Sequence, residues 1–172
     1  KTSREISFAI EKKILLINAE SKSEILEIER IAKIKRKKVN IGIRLNPNTD
    51  AKTLSQISTG KKENKFGVSE KTFFNLVNYA KNSKFLNLKC LSVHIGSQIL
   101  NHKPYEKMLK VIKKVIDKTK FKFEYIDLGG GMGVDYEKVN KKLNLKKYAS
   151  SIKRFLKNNK SQIIFEPGRT II

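Results

Sequence analysis

Five short apolar segments, each preceded by an amphipathic one, constrain the fold of this chain more than any other feature. The apolar segments lie at residues 14–19, 41–45, 88–93, 123–128 and 163–165, and they show little polar alternation. Strands of this kind are covered on both faces, as in parallel sheets flanked by helices. The alternation of strand and helix therefore predicts an α/β fold with parallel strands and helices outside them.

A helix is predicted ahead of every strand, because apolar residues recur at helical spacing and polar residues precede them as caps. Thr2 with Glu5, and Ser21 with Glu24, have the spacing of a capping box, and Ser69 is a third N-cap candidate. The predicted helices lie at about residues 2–12, 21–38, 69–80, 103–118 and 145–158.

Polar residues that could do chemistry lie just after the predicted strands. Because parallel strands end at one edge of a sheet, these residues should lie together there, in either a (β/α)8 barrel or a doubly wound sheet. They are Arg44, Asn46, His94, Ser97, Gly129, Gly130, Gly131, Glu166 and Arg169. Since a barrel needs eight units and about five are recognisable, we predict an incomplete (β/α)8 TIM-type barrel. Residues 1–172 would form one partial domain, with units missing before Lys1 and after Ile172.

The composition favours a globular domain with a basic surface. Lys and Arg number 38 against 16 Asp and Glu, which gives a net charge of +22. Either the chain binds nucleic acid or another polyanion, or lysines simply cover its solvent-facing helices. The lysines are spread over every predicted helix without a nucleic-acid motif, which favours the second interpretation. We expect no specific nucleic-acid partner, and no membrane partner, because no apolar run approaches the ~18 residues of a membrane span.

Several other classes of protein lack their motifs here. The single cysteine, Cys90, excludes an internal disulfide and suits a reducing, cytoplasmic location. There is no C-x-x-C, no G-x-S-x-G and no P-loop pattern, so zinc, serine-hydrolase and P-loop chemistry are not predicted. The glycine run lacks the G-x-G-x-x-G spacing of a dinucleotide fold. Between Pro47 and Val68 no periodicity is found, and a long functional or disordered loop is predicted.

The first candidates for a binding site follow the third and fourth predicted strands. His94 is either a hydrogen-bonded structural histidine or a pocket imidazole that carries a proton or stacks on a ring. Ser97 either donates its hydroxyl to a phosphate or caps the next turn. Glycines 129–131 end an apolar strand, and their N–H groups could approach a phosphate with no Cβ in the way. Glycines also make ordinary tight turns, so the run alone is a weak signal.

The second group follows the fifth predicted strand. Glu166 and Arg169 either form a structural salt bridge or face a pocket together, since Pro167 and Gly168 favour a sharp turn between them. A carboxylate at this position can accept a hydrogen bond from a protonated ring nitrogen. The guanidinium fork can bind a phosphate or a carboxylate through two hydrogen bonds.

Taken together, these motifs resemble the diaminopimelate decarboxylase family, whose members are pyridoxal-phosphate enzymes with an alanine-racemase-like barrel. The resemblance is collinear over nearly all of the chain. The motifs that carry it are Arg44–Pro47, Asp50–Thr53 with Ser58–Gly60 and Glu63–Gly67, His94–Gln98, Asp127–Gly131 and Glu166–Arg169.

The resemblance implies pyridoxal 5'-phosphate as the cofactor and gives the candidates roles. His94 would stack on the cofactor ring, while Ser97 and the N–H groups of Gly129, Gly130 and Gly131 would hold its phosphate.

The segment after the fifth strand would also bind the cofactor. Glu166 would bond the pyridinium nitrogen, and Arg169 would bind the phosphate or a substrate carboxylate, with Pro167 and Gly168 completing this cofactor-binding segment.

The implied activity is that of a carboxy-lyase, which converts meso-2,6-diaminopimelate to L-lysine and CO2 as a homodimer when full length. The family's Schiff-base lysine, in a Tyr-Ala-x-Lys-Ala stretch, is expected before Lys1, and its C-terminal β-domain is also expected to be absent. Lys81 does not take that role, because it lies on a predicted outer helix. The fragment alone is therefore expected to be inactive. Alternatives are a decarboxylase of arginine or another basic amino acid, a non-catalytic cofactor-binding barrel, and an anion-binding basic protein.

Overall fold

A computed structural model describes residues 1–48, 66–136 and 142–171, along which five helices and five strands alternate. The order confirms the predicted α/β alternation. The helices are α1 (Ser3–Glu11), α2 (Lys22–Ile34), α3 (Glu70–Asn82), α4 (Lys103–Thr119) and α5 (Leu145–Leu156). The strands are β1 (Ile17–Ala19), β2 (Val39–Arg44), β3 (Leu86–Ser92), β4 (Tyr125–Asp127) and β5 (Gln162–Ile164).

The strand order distinguishes the two architectures that the sequence left open. All five strands are parallel, and their order across the sheet is their order along the chain. A doubly wound sheet reverses its strand order at a switch point, whereas a barrel adds each strand beside the one before it. With right-handed crossovers, consecutive connections also place their helices on one face. The predicted barrel architecture is therefore confirmed.

One hydrogen bond shows how strongly the sheet curves. Asn18 on β1 donates from Nδ2 to Oδ2 of Asp127 on β4 at 2.7 Å. In a flat sheet these strands would lie about 14 Å apart, which is three strand spacings and too far for two short side chains. Gly42 on β2 leaves room for this contact, because a Cβ at that position would lie 1.9 Å from Asn18 Oδ1. The sheet is therefore rolled into an arc, with polar groups on its inner face.

The hydrophobic core lies between the sheet and the helices. Ile41, Ile43 and Leu91 on the strands are fully buried, and complete burial of such a side chain is worth about 2 kcal/mol. Most residues of the apolar helix faces predicted from spacing are buried as well. The exceptions are Ile34, which is 67% exposed at the last residue of α2, and Ala149, which is exposed on α5. Four others are only partly buried: Ala9, Ile116, Phe155 and Leu156. The buried helix residues include Ile25, Ile28, Phe73, Leu76, Val77, Tyr105, Met108, Ile112, Tyr148 and Ile152.

The predicted helix caps form, with one change of partner. The Thr2–Glu5 capping box is complete, since each side chain binds the other residue's backbone N–H. Ser21 caps α2 by accepting the Glu24 N–H at 3.1 Å. The Glu24 carboxylate, however, accepts the N–H of Glu20 at 2.7 Å instead of that of Ser21. The second capping box is therefore only half formed.

Strand bounds differ from the prediction where apolar residues are exposed. The first strand begins at Ile17, and Ile14 and Leu15 before it are 48% and 54% exposed. A long loop was predicted between Pro47 and Val68, and its residues 49–65 lie outside the described residues. Most of the motif residues between Asp50 and Gly67 therefore lie outside them as well. Within the part that is described, no helix is long and apolar enough to cross a membrane.

Candidate functional site

Three loops meet at the carboxyl edge of the sheet, one after each of β3, β4 and β5. Backbone hydrogen bonds join them: the Ile99 N–H donates to the Gly131 carbonyl at 2.9 Å, and the Glu166 N–H donates to the Gly129 carbonyl at 3.0 Å. The predicted candidates on these loops are therefore brought to one edge, and they are His94, Ser97, Gly129, Gly130, Gly131, Glu166, Pro167, Gly168 and Arg169.

The glycine loop, Gly129–Gly131, differs from one N–H group to the next. The Gly129 N–H donates to Oδ1 of Asp127 at 2.8 Å, and the Gly130 N–H donates to Nδ1 of His94 at 3.2 Å. The Gly131 N–H donates no hydrogen bond within residues 1–48, 66–136 and 142–171. Two of the three N–H groups predicted to hold a phosphate are thus engaged by side chains of the chain itself, and the third is available to a ligand.

Close packing of the three loops explains why these positions are glycine. A Cβ on Gly130 would lie 2.0 Å from the carbonyl oxygen of Glu166, and one on Gly131 would lie 2.0 Å from that of Gly96. Gly129 and Gly131 also have positive φ angles of 64° and 86°, which residues with a side chain rarely adopt. The glycine loop is therefore packed against the loops after β3 and β5.

Asp127 holds the base of the glycine loop. Its side chain is 1% exposed and accepts three hydrogen bonds, from Asn18 on β1, from the Ser92 hydroxyl on β3 at 3.0 Å, and from the Gly129 N–H. A buried carboxylate is stable only when its oxygens are satisfied in this way. Asp127 therefore fixes the start of the loop relative to three strands.

His94 is half-buried beside the glycine loop and is held in its neutral form. Burial lowers the pKa of His94, and the positive charge of Arg44 lowers it further, while Asp127 and Glu20 act in the opposite sense. Arg44 is itself fixed by Glu20 through an ion pair of 2.8 Å. Because Nδ1 accepts the Gly130 N–H, the proton of the neutral ring is assigned to Nε2.

The loop after β3 is paired with the chain that follows the glycine loop. Gln98 accepts the Val134 N–H at 3.1 Å and donates its own amide to the Val134 carbonyl. The Gly133 N–H also donates to the Ile99 carbonyl at 3.1 Å. These contacts explain the glutamine in the His94–Gln98 motif, because a primary amide has a donor and an acceptor side by side and so can bond both the N–H and the C=O of Val134.

The segment Glu166–Arg169 is exposed, unlike the glycine loop. Arg169 donates to the Ser97 hydroxyl, and no Glu166–Arg169 ion pair forms among the described residues, so the structural salt bridge considered from the sequence is not present. The turn lies later than the Pro167–Gly168 pair suggested, since the Ile171 N–H donates to the Gly168 carbonyl. Glu166 is exposed as a residue, but its carboxyl is partly desolvated, and this raises its pKa. The negative charge of Asp127 raises the pKa of Glu166 further.

Lys81 and Cys90 lie on α3 and within β3, not on the three loops at the carboxyl edge. Lys81 is on the exposed side of α3, with its ammonium 5.9 Å from the centre of the Phe121 ring. Cys90 is fully buried, and burial raises its thiol pKa to about 12. Among the described residues, no group of three or more His, Cys, Asp or Glu side chains could hold a metal ion.

Sequence reasoning gave no role to Asp127, Asn18 or the Glu20–Arg44 pair. The sequence did contain a signal for the structural role of Asp127, because an acidic residue at the end of an apolar strand needs hydrogen-bond donors when it is buried. It contained no such signal for Asn18, because the partner of Asn18 lies 109 residues away in the sequence.

A parallel sheet rolled into an arc, with ligand-binding groups at its carboxyl edge, defines the class of (β/α)-barrel binding domains. Within that class, residues 1–172 match the family model described as pyridoxal-dependent decarboxylase, pyridoxal binding domain. The chain therefore belongs to this family, and its cofactor is pyridoxal phosphate.

Individual relatives agree with the family assignment. The chain is 41% identical to diaminopimelate decarboxylase from Campylobacter jejuni and 42% identical to that from Helicobacter pylori, in both cases over 100% of its length. The crystal structure of the Helicobacter pylori enzyme complexed with L-lysine superposes with a TM-score of 0.95 at 40% identity, over the whole chain and 44% of that structure. The chain spans 44% and 43% of the lengths of the two curated relatives.

Proposed function

We propose that the protein to which this chain belongs is a carboxy-lyase that converts meso-2,6-diaminopimelate to L-lysine and CO2. One observation carries the proposal: the whole chain aligns with diaminopimelate decarboxylases at 40 to 42% identity, and one of them was solved with L-lysine.

The donor set at the carboxyl edge fits pyridoxal phosphate. The free N–H of Gly131, the hydroxyl of Ser97 and the guanidinium of Arg169 lie on adjoining loops, and Ser97 and Arg169 are in contact. Backbone N–H groups and guanidinium are the usual partners of a phosphate. These three groups would hold the phosphate, while the Gly129 and Gly130 N–H groups shape the loop through Asp127 and His94.

Two further side chains would act on the cofactor ring. His94 is neutral and held at Nδ1, so its ring face can pack on the pyridine ring. Glu166 would accept a hydrogen bond from the pyridine nitrogen, and its raised pKa makes it a stronger acceptor for that proton. When bound, pyridoxal phosphate supplies the electron sink for decarboxylation. Arg169 would bind the phosphate or a carboxylate of the substrate.

We also propose that the active protein is a homodimer in the cytoplasm and is longer than these 172 residues. The greater length is supported by relatives of which the chain covers less than half. Further barrel units, the Schiff-base lysine and a C-terminal β-domain would lie in that additional length. The location is supported by the single, buried thiol of Cys90, and the dimer is implied by the family resemblance.

The test uses the complete gene product supplied with pyridoxal phosphate. CO2 release and L-lysine formation are measured with meso-diaminopimelate and, in parallel, with L-arginine as the alternative substrate. We expect lysine from diaminopimelate and no CO2 from arginine. Release of CO2 only from arginine would replace the proposed substrate. Cofactor binding without any CO2 release would identify a non-catalytic barrel.

A further inference from the structure

Tyr105 contacts the glycine loop from the side that faces α4. It lies on α4, its side chain is 0% exposed, and its hydroxyl donates to the Gly130 carbonyl oxygen at 3.2 Å. Burial raises the pKa of Tyr105, so the hydroxyl keeps its proton and remains a donor. A buried carbonyl that lost this donor would have to find another partner or remain unsatisfied.

The hydrogen bond fixes the direction of one peptide group. The Gly130 carbonyl belongs to the same peptide plane as the Gly131 N–H, and no cis peptide bond is present among the described residues. In a trans peptide the C=O and the N–H point in opposite directions. Because Tyr105 holds the carbonyl on the α4 side, the Gly131 N–H points to the other side of the loop.

Aromatic packing holds the Tyr105 ring itself. The rings of Tyr105 and Tyr148 have centroids 4.4 Å apart, and Tyr148 meets Phe165 edge-on at 6.3 Å. Phe165 directly precedes Glu166, so these rings connect α4 and α5 to two of the loops of the site. The Tyr105 hydroxyl is therefore presented to the glycine loop by a fixed ring.

We propose that Tyr105 is a positioning residue for phosphate binding: its hydroxyl orients the Gly130–Gly131 peptide so that the Gly131 N–H faces the cofactor phosphate. The inference rests on the proposed cofactor site, and it assigns to a helix core residue a function that its helical spacing does not reveal. Tyr105 does not touch the cofactor and acts only through the peptide.

The test compares Tyr105→Phe with Tyr148→Phe in the complete gene product. Tyr148 is a matched control for removal of a hydroxyl, because it is 5% exposed, packs against the Tyr105 ring and makes no hydrogen bond to the glycine loop. Affinities of the cofactor-free protein for pyridoxal phosphate and for pyridoxal, which lacks the phosphate, are measured by fluorescence titration. The ratio of the two affinities isolates the phosphate contact from the general stability of the fold.

We expect Tyr105→Phe to lower the pyridoxal phosphate to pyridoxal affinity ratio about fivefold, the value of one neutral hydrogen bond, and Tyr148→Phe to leave it unchanged. An unchanged ratio in Tyr105→Phe overturns the inference while the proposed function stands. Wild-type protein that binds no pyridoxal phosphate overturns both.

If Tyr105→Phe does not fold, wild-type protein labelled with 15N-glycine is titrated with inorganic phosphate. The Gly131 amide should then shift more than those of Gly129 and Gly130, and a larger shift of either of the latter overturns the inference.

Discussion

The glycine loop after β4 and the segment Glu166–Arg169 after β5 adjoin each other at the same edge of the sheet, but the chain holds them differently. The glycine loop is fixed by side chains from three parts of the fold, which are Asp127 on β4, His94 after β3 and Tyr105 on α4, and most of it is buried. The second segment is exposed, and within the described part of the chain its one side-chain hydrogen bond joins Arg169 to Ser97. Two loops that would bind one cofactor therefore make different contributions to the fold.

The comparison separates two kinds of site residue. Groups in the glycine loop are preorganised, so a ligand meets them without an entropic cost of ordering. Groups in the exposed segment can change position when the ligand binds. Substitutions in the first region should lower both stability and binding, whereas substitutions in the second should lower binding alone.

The largest effect on stability is expected for Asp127→Asn. An amide cannot accept hydrogen bonds on both sides as the carboxylate does from Asn18, Ser92 and Gly129, so at least one buried donor loses its partner. We expect a loss of about 3 kcal/mol in the free energy of unfolding, measured by urea denaturation of the complete gene product. Asp117→Asn is the control, because its side chain is 61% exposed and its ion pair with Lys113 should contribute less than ~0.5 kcal/mol. Equal losses in the two variants would contradict the role given to Asp127.

A smaller loss is expected for Gly130→Ala. Its φ is not in the positive range, so any cost comes from the new Cβ, which would lie 2.0 Å from the Glu166 carbonyl oxygen. Moving the two loops apart should cost about 2 kcal/mol in the free energy of unfolding. Gly168→Ala is the matched variant in the exposed segment, since nothing lies within 4 Å of a Cβ there, and it should change stability by less than ~0.5 kcal/mol. If Gly168→Ala costs as much as Gly130→Ala, the two loops do not differ as described.

These two glycines also show what could be predicted from the sequence. Strand–helix alternation, the Thr2–Glu5 cap and the meeting of His94 with Gly129–Gly131 follow from local patterns and from the geometry of parallel strands. The different surroundings of Gly130 and Gly168 cannot be predicted in this way, because they depend on the distance between each loop and its neighbours in the folded chain.

Long-range polar contacts were equally inaccessible. Helical spacing places Tyr105 on the apolar face of the helix predicted at residues 103–118, but it does not reveal which carbonyl the hydroxyl contacts. The Asn18–Asp127 bond requires the curvature of the whole sheet, which no local pattern contains.

His94 gives the glycine loop a pH dependence. Burial holds its folded-state pKa below the ordinary value of 6.5, so the unfolded chain binds more protons between the two values. Stability is therefore fully present above pH 6.5 and is lost as the pH falls through the lowered pKa, where protonation of Nδ1 removes the acceptor of the Gly130 N–H. His94→Asn, which keeps an acceptor but does not titrate, should flatten the stability profile between pH 7 and pH 5. His102→Asn should keep the wild-type profile, and a profile that flattens equally in both variants would assign the pH dependence elsewhere.

The smallest effect on stability, and the sharpest separation of the two regions, is expected for Arg169→Ala. The side chain is exposed and contacts Ser97, so its removal should change the free energy of unfolding by less than ~0.5 kcal/mol. Affinity for pyridoxal phosphate should nevertheless fall about tenfold if the guanidinium binds the phosphate, because charge-assisted hydrogen bonds are worth roughly 1.5–3 kcal/mol. Arg154 is also exposed, on α5, and Arg154→Ala should change neither quantity. An Arg169→Ala protein with normal cofactor affinity but weakened substrate binding would place the guanidinium on a substrate carboxylate, and loss of stability without loss of either affinity would show that the exposed segment serves the fold.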